Sequence, residues 1–567
     1  MMKSDRHLST WIILAFLLVF FSVFLIYPIS LMLRRAFGMG GHFTVQYFVD
    51  LFASPILRQA LWNSFLIAAI TTALTTVISL PLAYLMTRFG FRGKSVLYGL
   101  LLLPLIMPPF VGAIGLTQLF ARFGSVNLLL MQLGLVPSNR PVDWLGNGGF
   151  WGIIALQVLN LYPIMFLNVS AALASLDPAL REAAQNLGAK GWRLFRTVTL
   201  PLIMPGYFAG AAIVFIWAFT DLGVALIFDY DRVTSVQIFY GLKDIGGNPF
   251  PYALTAVMLV SSVLFYALGK GLFGRDSYAM MAKATSASGP QPLPRGRAWF
   301  CTALFAGITF IAILPHLGVV LVAFSDNWYG TVLPQHFNLE NFRIALGHDL
   351  TVPAIANSLK YASISTVIDV ILGVALAYVI VRSKIRGRQL LDFLAMLPLA
   401  VPGLVLAFGY LAMSQEGKFF SFLNPVANPT ILLIIAYSIR RLPYVVRSAA
   451  AGFQQTSETL EEAAQNLGCP PLKAVFKVTL PLIMANLIAG GLLAFAFAML
   501  EVSDSLILAQ KQVYYPITKA IYELFQLLGD GKFIASALGV WAMAFLGITI
   551  AGMTLLLGKK LGAIFRV

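Results

Sequence analysis

Glu182-Ala-Ala-Gln-Asn-Leu-Gly188 occurs again, letter for letter, as Glu462-Ala-Ala-Gln-Asn-Leu-Gly468. Thr199-Leu-Pro-Leu-Ile-Met204 likewise recurs as Thr479-Leu-Pro-Leu-Ile-Met484, and both pairs are offset by 280 residues. Upstream the offset is 294: Asn63-Ser64 matches Asn357-Ser358, Ala83-Tyr84 matches Ala377-Tyr378, and Leu103-Pro104-Leu105 matches Leu397-Pro398-Leu399. The chain is a tandem duplication whose second copy has a shorter third outer loop.

The repeated loop is embedded in an apolar chain. Of 567 residues 59% are hydrophobic and 11% charged, less than half the charge of a soluble domain. So few charges cannot cover a soluble protein of this size, which excludes a cytosolic enzyme and a disulfide-built secreted module. The net charge of +16 is no sign of nucleic acid, because the basic residues sit in short clusters between long apolar runs. Cys301 and Cys469 form no metal-type spacing. The uncharged stretch Trp11 to Leu33 is long enough to cross a bilayer and exceeds the apolar region of a cleavable signal.

Apolar runs at the 20-residue scale predict an all-α polytopic membrane protein with about twelve transmembrane helices. Their approximate limits are 11–33, 61–87, 95–121, 150–175, 199–228 and 251–273, then 298–324, 356–381, 390–413, 429–450, 479–509 and 533–557. Residues 1–275 and 298–567 form two six-span units, joined by a polar linker over 276–297. Six is even, so both units face the same way, as parallel repeats about an axis along the membrane normal. Most Lys and Arg lie inside when both termini are cytoplasmic; Arg34 and Arg35 go against the rule. The repeated loops, 177–199 and 457–479, are then cytoplasmic.

Asp177-Pro178 is a helix start, with Asp as N-cap and Pro at the first helical position, and Gly188 a plausible stop about ten residues on. So short a helix cannot bury its apolar positions alone. Seen once, it reads as an amphipathic helix on the lipid surface. Kept in both copies, it points to two copies of one partner.

Here the sequence resembles a known family. Glu-Ala-Ala, three residues, Gly, nine residues, Ile, any residue, Leu-Pro is the cytoplasmic signature of binding-protein-dependent ABC importer permeases. It stands here as Glu182-Ala183-Ala184, Gly188, Val198 and Leu200-Pro201, and as Glu462-Ala463-Ala464, Gly468, Val478 and Leu480-Pro481, with Val for Ile in both. The resemblance implies a type I importer permease fold and a bacterial inner-membrane location. It makes these loops the coupling helices, seated on two copies of a cytoplasmic ABC ATPase. Two six-span units in one chain are similar to the fused permeases of the ferric-iron and thiamine branches. Arg440-Arg-Leu-Pro-Tyr444 and Glu501-Val-Ser-Asp-Ser505 look most like iron(III) permeases.

A nucleotide site is not legible: Gly269-Lys270, Gly531-Lys532 and Gly558-Lys559 lack the upstream Gly and the hydroxyl residue of a phosphate-binding loop. ATP and Mg are expected on the partner ATPase, with no cofactor on this chain. No outer loop is large enough for a solute-binding domain. A periplasmic or lipid-anchored binding protein is expected to dock on loops near 34–60, 229–250, 325–355 and 510–532. Membrane lipids are the remaining partner.

Ionisable residues inside spans cost about 2.5–3.5 kcal/mol each on insertion scales. Asp221 and its repeat mate Glu501 lie toward the outer ends of their spans, Asp504 is one turn beyond Glu501, and Arg440 and Arg441 fall near the middle of the tenth span. Three readings stand: internal salt bridges, an acidic mouth of Asp221, Glu501 and Asp504 suited to a hard cation, or arginines meeting an anion such as a phosphonate or sugar phosphate. Adjacent helical residues point about 100° apart, so the two arginines are not expected to serve one ligand. An ion-coupled secondary transporter is the competing function, disfavoured by few mid-depth carboxylates and by the repeated loop. Motifs of a membrane-embedded hydrolase are not found.

Overall fold

The computed structural model describes residues 2–38, 42–146, 148–244, 248–273 and 291–557; most of the expected linker at 276–297 lies outside them. The described residues are all-α apart from a two-residue parallel pairing of Phe89–Gly90 with Gln291–Pro292 and an isolated antiparallel bridge between Ser325 and Phe337. The first half contains α1 (Thr10–Ala36), α2 (Pro55–Arg88), α3 (Pro109–Phe120), α4 (Phe150–Ala174), α5 (Pro178–Asn186), α6 (Leu200–Thr220) and α7 (Phe250–Phe273). The second half repeats them as α8 (Arg295–Phe324), α9 (Thr351–Ala377), α10 (Gly403–Met413), α11 (Thr430–Gln455), α12 (Glu458–Asn466), α13 (Leu480–Met499) and α14 (Gly531–Leu557).

Among the described residues ten helices are long and apolar enough to cross a membrane, and a bent pair makes eleven. The remaining expected span is α11, 26 residues long, whose Arg440, Arg441 and Arg447 lower its hydropathy. It nevertheless packs inside the bundle between α9 and α13.

The third and ninth spans are not the continuous helices expected over 95–121 and 390–413. The helix from Lys94 ends at Leu101, passes through a tight turn at Leu103–Ile106, and resumes as α3. In the second half Arg388–Leu399 and α10 meet at 103°. The cause is local: Pro104, Pro108 and Pro109, and Pro398 and Pro402, remove backbone donors and clash with the preceding turn. Backbone broken at membrane depth is tolerated only where protein covers it, and α10 is buried along its whole length.

In each half α2, α4 and α6 (α9, α11 and α13) form a mutually packed triplet. The halves then interlock, with α1 lying against α10 and α8 against α3. Glycine permits the second crossing: a Cβ on Gly318 would stand 2.8 Å from the Gly115 carbonyl oxygen. Gly318→Leu is expected to cost roughly 1–3 kcal/mol through overpacking, read as a fall in thermal unfolding temperature. Gly307→Leu, on the same helix facing open space, is the control; equal shifts would refute the crossing.

The starts of α2 and α9 are clamped alike. Asn63 Nδ2 donates to the Tyr230 hydroxyl and the Arg232 carbonyl, both at 3.0 Å, and Asn357 Nδ2 donates to the Val513 carbonyl at 2.9 Å. The neighbouring Ser64 and Ser358 hydroxyls accept from the Thr234 and Ile517 amides. These asparagines tie helix starts to loops rather than helix to helix. Arg35, an exception to the charge bias, lies over the Tyr252 ring at 5.4 Å and donates to Tyr252 and Gln415, so protein groups hold its charge.

Candidate functional site: paired exposed helices and a buried charge cluster

The duplicated loop forms the same object twice. α5 begins with the Asp177 carboxylate accepting from the Ala179 amide at 2.9 Å, Pro178 at its first position. α12 begins with the Ser457 hydroxyl accepting from the Thr459 amide at 3.3 Å. At the far ends Gly188 and Gly468 take φ of +87° and +90°. There the Ala189 and Cys469 amides reach back to the Ala184 and Ala464 carbonyls at 3.0 Å. Glycine suits this left-handed stop because it has no Cβ to meet the carbonyl.

Between those ends the helices are little covered. Glu182, Ala183, Glu462 and Ala463 are exposed, while Ala184 and Ala464 are half-buried. Leu187 and Leu467, just before the glycines, are 89% and 90% exposed. The two halves thus present the same exposed leucine at the same place, one turn after a pair of alanines. Each loop returns to the bilayer through a wide turn, Phe195–Thr199 or Val475–Thr479, immediately before Leu-Pro. Widening the turn relieves the proline's clash with the carbonyl four residues back.

Sequence reasoning missed the anchor of α12. Glu461 is buried and accepts from Arg382 Nε at 3.0 Å and the Thr479 hydroxyl at 2.7 Å, while Arg382 Nη2 donates to the Thr456 carbonyl at 2.7 Å. The anchor joins α12 to the end of α9 and the start of α13. Its partners are some 80 residues apart, and no local pattern pairs them.

Toward the opposite end lies the charge cluster. Arg440 is paired with Glu501 and, at 3.0 Å, with Asp504, and Arg441 with the other oxygen of Glu501. The arginines were not expected to serve one ligand, yet both reach one carboxylate, because long guanidinium arms converge from diverging Cβ directions. Arg440 lies across Gly403 at the start of α10, where a Cβ would collide with its guanidinium. Arg441 covers the Phe497 ring at 5.7 Å.

Asp221 stands outside this cluster. Its carboxylate accepts from the Val224 amide at 3.1 Å, and its carbonyl accepts from the Ser235 hydroxyl. The three carboxylates therefore do not form one acidic mouth: two are occupied by arginines and the third caps a short helix. Asp369, not anticipated, is fully buried on α9 and accepts from the Ser438 hydroxyl at 2.6 Å. The signal for it was present, one acidic residue inside the apolar run of the eighth span. Among the described residues no group of three or more His, Cys, Asp or Glu could hold a metal ion.

Trp217 and Phe497 are repeat mates at the offset of 280, and they touch each other, edge to face, with ring centroids 5.9 Å apart. Two equivalent residues in contact lie beside the pseudo-twofold axis. The aromatic pair therefore joins α6 to α13 where the halves meet, one turn inside Asp221 and Glu501.

The profile of the binding-protein-dependent transport system inner membrane component family matches residues 76–276 and 369–557. The chain is 27% identical over 513 residues to the ferric transport system permease protein FbpB of Actinobacillus pleuropneumoniae, covering 89% of this chain and 72% of that protein. To the putative ferric transport system permease protein FbpB 1 of Haemophilus influenzae it is 27% identical over 525 residues, covering 90% and 80%. To the molybdenum transport system permease protein ModB of Escherichia coli it is 31% identical over 180 residues, covering 30% and 74%. A solved bacterial ABC transporter involved in import of the acidic polysaccharide alginate aligns over 46% of this chain and 98% of its own, at 16% identity and a TM-score of 0.35. With the two profile matches falling one on each half, and each including one of the repeated helices, the chain belongs to the family of binding-protein-dependent transport system inner membrane components.

Proposed function

We propose that this chain is the membrane permease of an ATP-driven importer for ferric iron, each coupling helix seated on one copy of a cytoplasmic ABC ATPase. The observation that carries the coupling role is the pair α5 and α12: identical over Glu182–Asn186 and Glu462–Asn466, held at their ends and largely exposed between. Glu182, Ala183, Ala184 and Gly188, with Glu462, Ala463, Ala464 and Gly468, form the seats. ATP and Mg belong to the partner. Both termini and both seats face the cytoplasm, and a periplasmic or lipid-anchored binding protein delivers solute to the outer loops.

The packing suits alternating access. Each triplet moves as a unit, and a pull on α5 or α12 enters α6 or α13 directly through the wide turn and Leu-Pro. ATP binding draws the seats together and parts the halves at Trp217 and Phe497; hydrolysis resets them. Two relatives named as ferric permeases, matching 89% and 90% of this chain, support iron. The arginine-neutralised cluster favours a structural part for Glu501, Asp504, Arg440 and Arg441. It leaves outer carboxylates such as Asp229 and Asp231, which line a cavity with Gln59 and Asn63, to meet a hard cation first.

Proteoliposomes carrying the permease, its ATPase and its binding protein are expected to accumulate radiolabelled ferric iron only with ATP inside. Molybdate or thiamine accumulating in its place would reassign the solute. Accumulation driven by a proton gradient with the ATPase omitted would refute the importer mechanism.

A further inference from the structure

The two seats are alike in sequence but not in what lies beneath them. Arg382 and Glu461, the anchor of α12, correspond at the two repeat offsets to Arg88 and Arg181. Glu458, also near Arg382 at 3.6 Å, corresponds to Pro178. The first half thus keeps the arginine at the end of the span, loses both carboxylates and gains a second arginine. Among the described residues neither Arg88 nor Arg181 forms an ion pair, and the Nε of each is buried without a hydrogen-bond partner. Burial first, and the nearby Arg88 charge second, lower the pKa of Arg181. The Glu182 carboxylate acts on Arg181 only from a distance, without an ion pair, and two half-buried guanidiniums that no carboxylate contacts make a receptor for an anion.

Surrounding side chains indicate where the anion comes from. Arg88 lies over the Tyr84 and Phe89 rings at 5.4 and 5.3 Å. Phe195 packs on Tyr84 and on Trp192, with centroids 5.6 and 5.3 Å apart, and Trp192 is 72% exposed. At the counterparts of Phe89, Trp192 and Phe195 the second half has Ser383, Leu472 and Val475. An aromatic belt at the end of a span, around unpaired arginines, marks headgroup depth on a membrane protein.

We propose that Arg88 and Arg181 bind the phosphate of an anionic lipid, which takes the place in the first half of the carboxylate that Glu461 supplies in the second. This rests on the reading of α5 as a cytoplasmic coupling helix, and it makes the first seat lipid-dependent and the second self-sufficient.

The test uses the full chain in detergent, alone and assembled with its ATPase. It is titrated with phosphatidylglycerol or with phosphatidylcholine as the zwitterionic control, and retained lipid is read by native mass spectrometry. The unaltered chain is expected to retain phosphatidylglycerol preferentially. Arg181→Glu, which rebuilds the bridge of the second half, is expected to weaken that retention roughly tenfold or more, the loss of a charge-assisted bond. Arg181→Gln should act in the same direction without adding a charge, and Arg181→Lys should largely preserve retention. Equal retention in the unaltered chain, Arg181→Glu and Arg181→Gln overturns the proposal. Displacement of the lipid by excess inorganic phosphate would give the site to a soluble anion, and its loss on ATPase assembly would give it to an acidic side chain of the partner; either result overturns the lipid. Failure of the coupling reading appears instead in ATPase stimulation, which this titration does not measure.

Discussion

Valine in place of Gly188 and Gly468 together is expected to abolish stimulation of ATP hydrolysis by loaded binding protein, and with it uptake. Both glycines sit at φ near +90°, where a side chain costs about 1–2 kcal/mol and a β-branched one is a true outlier. No heavy atom lies within 4 Å of either added Cβ, so the strain is confined to the backbone stop and the bundle has nothing to repack. Unwinding the stop turns Leu187 and Leu467 away from their seats. The thermal unfolding temperature should therefore stay close to that of the unaltered chain while coupling is lost. Asparagine, which tolerates the left-handed region, should retain most of the stimulation. Full stimulation in the double valine variant would remove the coupling role from these helices.

Glu501→Gln is expected to be among the most destabilising substitutions in the chain. Glu501 is 4% exposed and is the shared partner of Arg440 and Arg441. Removing one member of a buried ion group leaves the others uncompensated, at a cost of about 3–5 kcal/mol. Asp504 still balances Arg440, so Arg441 carries most of the loss. Asp221→Asn at the equivalent position should cost about 1 kcal/mol or less, because Asp221 caps a short helix and asparagine caps nearly as well. The comparison is read in thermal unfolding in detergent. Equal shifts for the two variants would mean that the arginines are neutralised by something other than Glu501.

These two sites differ in how far they could be read from residues in order. The cap at Asp177, the stop at Gly188 and the length of α5 were all legible, because each depends on neighbours within one or two turns. The breaks in the third and ninth spans were nearly legible. Leu103-Pro104-Leu105 and Leu397-Pro398-Leu399 stood out as repeats, but 20-residue hydropathy averages across a proline and reports one span. The charge cluster was half legible: its members were named, and pairing was one of three readings. The angular argument about Arg440 and Arg441 failed because it followed Cβ directions and ignored the reach of the side chain.

The sequence by itself determined that the chain lives in a membrane, that it is a parallel duplication and that each half carries one exposed, capped helix on the same side. Composition, period and capping are local properties, and a linear reading contains them in full. Tertiary structure alone decided that α1 lies on α10 and α8 on α3, that Trp217 meets its own repeat mate Phe497, and that Glu461 finds Arg382 where the first half sets Arg181 near Arg88. Those outcomes rest on contacts between residues tens to hundreds of positions apart. Close packing settles them by geometry, and sequence order does not encode which distant side chains will share a site.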